Sequence, residues 1–282
     1  MAGPLPGTRV APTEPFNTTQ ETPMYKPFDL TGKVALVTGG NRGIGLGMAE
    51  AMAHAGADIV IWGTNEEHNA KAKATLTALG RKVTARKVNV AEEAEVVAGM
   101  KAAVDEMGRV DTVIANAGIG GGAPSFGEMS IDLWRRVHAV NEEGVFFTLR
   151  EAAKHMVNRA KNGDAGGSLV GVASLAGIEG AARNEAYSAT KGAVLAMVRS
   201  IAVELARYGV RANSIAPGWI ATDMTRGAQH SQVFTDKVIS RVPMRRWGNI
   251  EDFGGIAVYL ASDASKYHTG QTFVIDGGYS VF

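Results

Sequence analysis

The sequence predicts an α/β fold, with a doubly wound parallel sheet of seven strands and helices on both faces, in a single domain. The main observation is that short apolar runs alternate with helical patterns from residue 29 onward. Such runs are typical of parallel strands, because strands buried on both faces are apolar along their whole length. The candidate strands lie at 33–38, 57–62, 82–88, 110–115, 167–172, 210–215 and 271–276.

Helical patterns fill the intervals between these runs, as the crossovers of a parallel sheet require. They cover 43–55, 66–79, 92–107, 130–160, 186–208 and 249–262. A sheet of this kind binds its ligand at the carboxyl ends of its strands. We therefore expect a site formed by residues that directly follow strand ends, among them Thr38, Asn116, Ser174 and Pro217.

The first 28 residues differ from the rest, and we expect the catalytic domain to span residues 29–282. Six of the nine prolines fall at positions 4, 6, 12, 15, 23 and 27, among Thr, Glu and Asn. A segment of this composition builds no core, and it lacks the apolar stretch of a secretory signal. We interpret residues 1–28 as a surface arm. An alternative is that the arm wraps a neighbouring subunit.

Composition excludes several classes of function. Lys and Arg number 29 and Asp and Glu number 28, so the net charge of +1 offers no field for nucleic acid or an anionic membrane. The chain has no cysteine, which excludes thiolate metal sites and cysteine nucleophiles. Its six histidines show no metal-binding spacing, so no metal is expected. No apolar run reaches the roughly 18 residues of a transmembrane helix.

A glycine-rich turn joins the first strand to the first helix, in Thr38-Gly39-Gly40-Asn41-Arg42-Gly43-Ile44-Gly45. Glycine permits the tight turn and the close approach of a pyrophosphate, which then binds to free N–H groups at the helix start. A strand before the turn and a helix after it are the flanks that dinucleotide binding requires. The pattern therefore predicts a Rossmann-type dinucleotide site, the alternative being a tight turn without a ligand.

The second motif is Tyr187-Ser188-Ala189-Thr190-Lys191, with Ser174 upstream. Residues four apart lie on one face of a helix, so the Lys191 ammonium can reach the Tyr187 phenol. A nearby positive charge lowers the pKa of a phenol from about 10, and Ser174 could hold a substrate oxygen. Taken alone, the pair also fits an ordinary surface helix.

Together these motifs resemble the short-chain dehydrogenase/reductase family, whose glycine pattern is TGxxxGxG. Further family signatures follow in the expected order, namely Asn116-Ala117-Gly118, Asn141, Pro217-Gly218 and the run 270–278. Within the family, the chain is similar to 3-oxoacyl-acyl-carrier-protein reductases and to gluconate 5-dehydrogenase-like members. The resemblance covers nearly the whole chain after residue 29. It implies a homotetramer in which helices 130–160 and 186–208 pair between subunits, and the lack of cysteine fits a cytoplasmic location.

The resemblance implies catalytic roles for Asn141, Ser174, Tyr187 and Lys191. Ser174 would bind the substrate oxygen, Tyr187 would give or take its proton, and Lys191 would lower the Tyr187 pKa and contact the nicotinamide ribose. Asn141 would hold a water that continues the proton path, although a helix-kinking or capping role is the alternative. The cofactor contacts implied are Gly39, Asn41, Arg42, Gly43, Ile44, Gly45, Gly63, Thr64, Asn65, Asn89, Val90, Asn116, Ala117, Gly118, Tyr187, Lys191, Pro217, Gly218, Ile220 and Thr222.

The end of the second predicted strand indicates which nicotinamide cofactor binds. An acidic residue there would hold the ribose 2′-OH and mark NAD, but the aligned residue is Gly63, followed by Thr64 and Asn65. Arg42 in the glycine turn could reach a 2′-phosphate. We therefore favour NADP(H), with NAD(H) as the alternative. Asn89 stands where the family usually has an Asp that contacts adenine, and its amide oxygen can accept the same hydrogen bond.

The predicted function is hydride transfer between NADP(H) and a ketone or secondary alcohol. Alternatives are an NAD-dependent alcohol, polyol or sugar dehydrogenase, an epimerase, dehydratase or methyltransferase on a related sheet, and a nucleotide-binding regulatory protein without catalysis. The expected pocket segments are 119–126, 175–184 and 219–230, and the segment 219–240 resembles the family's substrate lid. Apolar pocket residues favour an apolar or ring ketone, namely Phe126, Ile178, Trp219 and Met224. We interpret the charged ones as solubilising, although they could meet a carboxylate, namely Glu179, Arg183 and Arg226.

Overall fold

Seven parallel strands form one sheet in the order β3-β2-β1-β4-β5-β6-β7. The structure, a computed structural model, describes residues 25–282. The strands are β1 (Val34–Thr38), β2 (Asp58–Gly63), β3 (Val83–Lys87), β4 (Thr112–Ala115), β5 (Gly167–Val172), β6 (Val210–Pro217) and β7 (Thr272–Ile275). All seven predicted strands are present, and the predicted fold class is confirmed. The chain order reverses direction across the sheet between β1 and β4.

Helices cover both faces of the sheet. They are α1 (Gly43–His54), α2 (Glu66–Thr77), α3 (Glu93–Met107), α4 (Ile131–His138), α5 (Gly144–Lys161), α6 (Ala176–Glu179), α7 (Glu185–Leu205), α8 (Arg226–Gln229), α9 (Gln232–Arg241) and α10 (Gly254–Ala261). None of the helices within residues 25–282 combines the length and apolarity that crossing a membrane requires.

Two buried apolar clusters form the core, one on each face. Side chains alternate along a strand, so Leu36 of β1 packs with α3, α5 and α7 while its neighbours Ala35 and Val37 pack with α1, α2 and α10. Trp62 belongs to the first cluster and Phe253 to the second, and both are fully buried. This double burial explains why the strands are apolar without a polar alternation.

The predicted helix 130–160 is interrupted, which corrects the expectation of one continuous helix. Residues Ala139–Glu143 form a π-helical turn between α4 and α5. A π turn widens the helix by one residue and occurs frequently at functional sites. Here the turn contains Asn141, whose side chain pairs with backbone groups of Ile119. The periodicity of apolar residues does not reveal this single extra residue.

Most of the predicted arm, residues 1–24, lies outside the described residues. The described part of the arm ends in a 3₁₀ turn, Lys26–Phe28, whose Phe28 ring lies 6.3 Å from the Tyr259 ring. Leu30 then donates its backbone N–H to the Ala55 carbonyl, 2.8 Å away, and is fully buried. The start of the domain is thus fixed to α1 and α10 near residue 30.

Candidate active site

The glycine-rich turn brings the end of β1 against the end of β4. Gly39 has a φ of +63°, which favours glycine. A Cβ at Gly45 would overlap the Gly39 carbonyl oxygen and lie 2.5 Å from the Asn116 amide nitrogen. The backbone therefore packs closely at the start of α1, and among residues 25–282 no side chain caps this helix at Arg42. Its first N–H groups are available to an anion, as a pyrophosphate site requires.

Hydrogen bonds of Thr38 connect the end of β1 to the end of β4. The Thr38 hydroxyl oxygen accepts hydrogen bonds from the backbone N–H groups of Asn116 and Ala117, both at 3.0 Å. The Asn116 side chain in turn donates to the Thr38 carbonyl at 2.9 Å. The segment Asn116-Ala117-Gly118 thus continues from β4 directly beside the glycine turn. A Cβ at Gly118 would lie 3.2 Å from Asn141 Oδ1 and 3.5 Å from Lys191 Nζ, so this segment also touches the catalytic candidates.

The Ser174 hydroxyl group lies beside the Tyr187 phenol. Ser174 follows β5, Tyr187 lies on the first turn of α7, and the serine side chain is near enough to influence the pKa of the phenol. Burial raises the pKa of the Tyr187 phenol above its ordinary value of 10, while the neighbouring Ser174 hydroxyl lowers that pKa to a smaller extent. The phenol is therefore protonated at neutral pH in this structure.

Lys191 lies one helical turn after Tyr187 and is 3% exposed. Its ammonium donates to the Val172 carbonyl at 2.7 Å and lies 5.6 Å from the centroid of the Tyr187 ring. Burial lowers the pKa of Lys191 to about 8. Within the described residues, Val172 is its one hydrogen-bond acceptor, so a buried ammonium retains unused donors at the end of β5.

Asn141 links the π turn to the segment after β4. Its Oδ1 accepts from the Ile119 N–H at 2.8 Å, and its Nδ2 donates to the Ile119 carbonyl at 2.9 Å. The side chain is fully buried, and Thr190 of α7 lies 3.5 Å from Nδ2. Asn141 thus holds Gly118 and Ile119 beside α7. Its role toward a water remains a prediction.

The end of β2 is formed by Gly63, Thr64 and Asn65. Asn65 caps α2, because its side-chain oxygen accepts from the His68 N–H at 2.8 Å. Thr64 is exposed. A Cβ at Gly63 would overlap the Asn41 amide nitrogen, so the glycine turn and the end of β2 are in direct contact. The predicted contacts of the adenosine ribose therefore come together in one place.

Arg42 and the segment after β6 approach each other across the turn. Arg42 Nη1 lies 3.5 Å from Asp223 Oδ2. Thr222, also a predicted cofactor contact, faces Gly43, since its Cγ2 lies 3.7 Å from the position of a Gly43 Cβ. Ile220 is buried and bridges to Gly248.

The remaining predicted cofactor contacts also lie at this edge. Asn89 follows β3, and its Oδ1 already accepts a hydrogen bond from the Ala91 N–H at 3.2 Å. Val90 is buried and faces Gly144 at the start of α5. Pro217 ends β6, and Gly218 packs against Asp276, where a Cβ would lie 2.6 Å from the Asp276 Cβ.

The expected pocket residues differ in how far they are enclosed. Phe126, Ile178 and Met224 are 70%, 50% and 56% exposed. Trp219 instead packs against an aromatic cluster in which its ring lies 5.1 Å from Phe234. The described structure therefore forms no enclosed apolar pocket from these four side chains.

Hydrogen bonds connect the two predicted pocket segments 119–126 and 175–184. The Gly121 N–H donates to Asn184 Oδ1 at 3.1 Å, and the Ala123 N–H donates to the Arg183 carbonyl at 2.8 Å. Arg183 has a φ of +65°, a conformation that is uncommon for residues other than glycine and often accompanies functional sites. Its side chain forms no ion pair within residues 25–282.

Sequence reasoning missed one residue at this edge, Asn69, and it included Asn184 and Asp223 only as members of the predicted pocket segments without assigning them a role. Asn69 is buried on α2 and pairs with Asn41, which lies 28 residues earlier in the chain. Its signal in the sequence is a polar residue at a position that the helix buries. Asn184 and Asp223 lie in loops, and their partners become apparent only from the fold.

No cluster of three or more His, Asp or Glu side chains that could hold a metal occurs among residues 25–282.

The uncapped start of α1, the glycine contacts and the buried Lys191 ammonium together fit a nicotinamide dinucleotide, which brings phosphates and ribose hydroxyls to such groups.

Comparison with known proteins defines the class. Residues 39–280 match a family model described as enoyl-(acyl carrier protein) reductase, adh_short_C2. A gluconate 5-dehydrogenase of Gluconobacter oxydans is 37% identical over 254 residues, which are 90% of this chain and 97% of that protein. A 3-oxoacyl-acyl-carrier-protein reductase of Chlamydia pneumoniae is 36% identical over 253 residues, which are 88% of this chain and 97% of that one.

A solved structure agrees with these relatives. It is a gluconate 5-dehydrogenase from Burkholderia cenocepacia in complex with NADP and tartrate, with a TM-score of 0.86 and 35% identity, covering 91% of this chain and 98% of that one. The fold and the site define a dinucleotide-dependent oxidoreductase. The chain belongs to the short-chain dehydrogenase/reductase family, as its motifs predict, and it is an enzyme.

Proposed function

We propose that this enzyme transfers a hydride between NADP(H) and a ketone or secondary alcohol, with Tyr187 as the general acid and base. The observation that carries the proposal is the arrangement of Ser174, Tyr187 and Lys191 at the carboxyl ends of the strands. The Ser174 hydroxyl group lies beside the Tyr187 phenol, and the Lys191 ammonium lies 5.6 Å from the centroid of the phenol ring.

Tyr187 is suited to protonate a carbonyl oxygen during reduction. Burial raises its pKa, so the phenol carries its proton at neutral pH. When the proton leaves, a phenolate forms near the Lys191 ammonium, which stabilises negative charge in a buried environment. Ser174 keeps a hydroxyl group beside the phenol and would donate to the substrate oxygen, which fixes its distance from Tyr187.

Alcohol oxidation requires the same groups in the opposite sense. Tyr187 must then accept a proton from the alcohol, and only the phenolate form can do so. Because the pKa of Tyr187 is raised, the phenol must first lose its own proton. Lys191 has a pKa lowered to about 8, so it remains mostly charged at neutral pH and favours the phenolate. We therefore expect oxidation to accelerate as the pH rises above neutrality, while reduction proceeds at neutral pH.

The cofactor would be held by the glycine-rich turn, the start of α1, Asn116-Ala117-Gly118 and the Lys191 ammonium. When bound, the nicotinamide supplies or accepts the hydride. The protein orients the substrate oxygen at Ser174 and Tyr187 and moves the proton. Asn141 keeps Gly118 and Ile119 in place beside these residues through its two hydrogen bonds to Ile119.

NADP(H) is the proposed cofactor because the end of β2 lacks a carboxylate. Gly63 stands at the position of the acidic residue that marks NAD, and Arg42 provides a cation on the glycine turn. Guanidinium groups bind phosphate with paired, charge-assisted hydrogen bonds. The Burkholderia relative, solved in complex with NADP, supports the same choice.

A hydroxylated carboxylic acid of the gluconate type is the substrate class we propose. Two relatives are named for gluconate oxidation, and a further one from Dickeya dadantii, 36% identical, is named a 2-dehydro-3-deoxy-D-gluconate 5-dehydrogenase. The exposed loops at Phe126 and Ile178 do not enclose an apolar ring, whereas Arg183 offers a cation at their junction. A 3-oxoacyl thioester is the second candidate, supported by the Chlamydia relative.

The test is oxidation of NADPH and of NADH followed at 340 nm with three substrates: 5-keto-D-gluconate, an acetoacetyl thioester and a neutral cyclic ketone. We expect the keto acid to be reduced with the highest kcat/KM, and NADPH to be preferred by at least tenfold. A preference for the thioester would replace the substrate class and keep the chemistry. If NADP+ binds but none of the three substrates turns over, the proposal fails.

A further inference from the structure

A buried asparagine of α2, Asn69, holds Asn41 of the glycine-rich turn against the end of β2. Asn69 is 5% exposed. Its Oδ1 accepts from Asn41 Nδ2 at 2.7 Å. The pair connects the dinucleotide turn with the position that distinguishes the two nicotinamide cofactors.

The orientation of the Asn69 amide is determined by its other partners. Its Nδ2 donates to the Gly63 carbonyl at 2.9 Å and to the Arg86 carbonyl at 3.3 Å. Because both partners are carbonyl oxygens, the NH₂ group must face them, and the Asn69 oxygen must face Asn41. Asn41 can then present only its NH₂ group to Asn69. The orientation of one amide thus fixes that of the other.

This amide pair occupies the space in which a side chain at position 63 would begin. A Cβ at Gly63 would overlap Asn41 Nδ2 and lie 2.6 Å from Asn69 Oδ1. An acidic side chain there could not coexist with the pair as it stands. The site therefore has a neutral N–H donor where a carboxylate would accept a hydrogen bond from a ribose 2′-OH.

A donor at this point discriminates between the two cofactors. An N–H group can donate a hydrogen bond to a 2′-phosphate, and the negative charge of the phosphate strengthens that bond. A hydrogen bond from the same N–H group to a 2′-OH is neutral and therefore weaker. Within residues 25–282, Asn41 Nδ2 donates one hydrogen bond, to Asn69, so its second N–H remains available. Neither amide carries a charge that would repel the phosphate.

We propose that Asn69 is a positioning residue that sets the selectivity of this site for a 2′-phosphorylated dinucleotide, acting through the Asn41 amide. The inference rests on the proposed function, since it assumes that a dinucleotide binds at the glycine turn. It also explains why position 63 is glycine, because any larger residue would displace Asn41 from Asn69.

The fold should tolerate the loss of the Asn69 side chain. The Gly63 carbonyl also accepts from the Val88 N–H at 3.4 Å, so it keeps a partner. Leucine has a similar volume and suits a buried position on α2. If Asn69→Leu does not fold, Asn69→Ser serves instead, because its hydroxyl is too short to reach Asn41.

The test is calorimetric binding of NADP+ and NAD+ to the purified full chain and to Asn69→Leu, Asn41→Ala and the double variant. We expect Asn69→Leu to raise the Kd of NADP+ about tenfold, the worth of one charge-assisted hydrogen bond, and that of NAD+ by less than about threefold. If Asn69 acts through Asn41, the double variant should bind NADP+ within about twofold of Asn41→Ala.

Three results would overturn the inference. The first is an unchanged Kd for NADP+ in Asn69→Leu. The second is an equal rise in the Kd of both cofactors, which would indicate a structural role only. The third is a loss of NADP+ affinity in the double variant that equals the sum of the losses in the two single variants. If the unsubstituted chain binds neither cofactor, the proposed function fails as well. If the unsubstituted chain binds NADP+ and Asn69→Leu binds it with the same Kd, only the role of Asn69 is refuted.

Discussion

Arg42 on the cofactor turn and Asp223 on the segment after β6 form an ion pair, with Nη1 and Oδ2 3.5 Å apart. Asp223 also pairs with Arg226, at the start of α8. The cation proposed to bind the 2′-phosphate is therefore partly neutralised by a residue of the predicted lid. A bound phosphate and the Asp223 carboxylate would compete for the same guanidinium.

This competition predicts opposite effects for the two partners. Arg42→Ala should raise the Kd of NADPH at least tenfold and change that of NADH little, because only the former carries the phosphate. Asp223→Asn should lower the Kd of NADPH about threefold by releasing Arg42. Fluorescence titration measures both, with Arg207→Ala, on the turn before β6, as the control. An unchanged NADPH affinity in Arg42→Ala would refute the assignment.

Arg183 is predicted to bind the substrate carboxylate. Asparagine tolerates positive φ, so Arg183→Asn removes the charge and retains the backbone at +65°. With 5-keto-D-gluconate as the substrate, we expect KM to rise about tenfold and kcat to stay within about twofold, whereas the kinetics of a neutral ketone should stay unchanged. Equal effects on the acid and the neutral ketone would show that Arg183 shapes the loop and does not bind the carboxylate.

The buried Lys191 should make stability depend on pH in a defined direction. Its pKa is about 8 in the folded state, against an ordinary value of 10.5 that we assign to the unfolded chain. Between these values the unfolded chain binds more protons, so the free energy of unfolding rises with pH. The penalty of burying the charge is fully present below pH 8. Between pH 8 and 10, Lys191 should therefore add about 2 kcal/mol to the stability.

Urea unfolding of the ligand-free chain and of Lys191→Met at pH 7, 8, 9 and 10 measures this contribution. The free energy of unfolding of the unsubstituted chain should rise relative to that of Lys191→Met, mainly above pH 8, whereas Lys161→Met, at the exposed end of α5, should follow the unsubstituted chain. Parallel pH profiles for Lys191→Met and the unsubstituted chain would mean that the buried ammonium keeps its ordinary pKa.

The family resemblance predicts a homotetramer, and exposed apolar side chains on the two longest helices support it. Val203 of α7 is 84% exposed and Phe146 of α5 is 43% exposed. Light scattering after gel filtration should give four times the chain mass of 29.6 kDa. Val203→Glu combined with Phe146→Glu should lower that mass, because two charges would be buried in the interface. A single-chain mass for the unsubstituted protein would contradict the prediction.

The fold could be predicted from the sequence because its strands are buried on both faces. The apolar runs around Leu36 and Ile114 need no partner information to be recognised, and the glycine turn marks where the first strand ends. The π turn at Asn141 could not be predicted in this way. It depends on hydrogen bonds to Ile119, 22 residues earlier, and it leaves the apolar pattern of the flanking helices unchanged.

The candidate site shows the same limit. The motif predicts that Tyr187, Lys191 and Ser174 lie together, but the direction of the Tyr187 pKa in this structure follows from burial, which the motif does not contain. The spacing of Tyr187 and Lys191 instead favours a lowered pKa of the Tyr187 phenol, because it places the Lys191 ammonium near the phenol. The Asn41–Asn69 pair likewise depends on α2 packing beside the glycine turn, and no local pattern encodes that contact.

The most direct test of the proton role of Tyr187 is Tyr187→Phe, assayed with NADPH and 5-keto-D-gluconate at 340 nm beside calorimetric binding of NADP+. Loss of a positioned general acid costs about 10² to 10⁴ in rate, so we expect kcat to fall at least 10³-fold while the Kd of NADP+ stays within about threefold. Tyr208→Phe is the matched control, since Tyr208 is half-buried on the turn after α7. A Tyr187→Phe enzyme that retains kcat within tenfold of the unsubstituted protein would contradict the account.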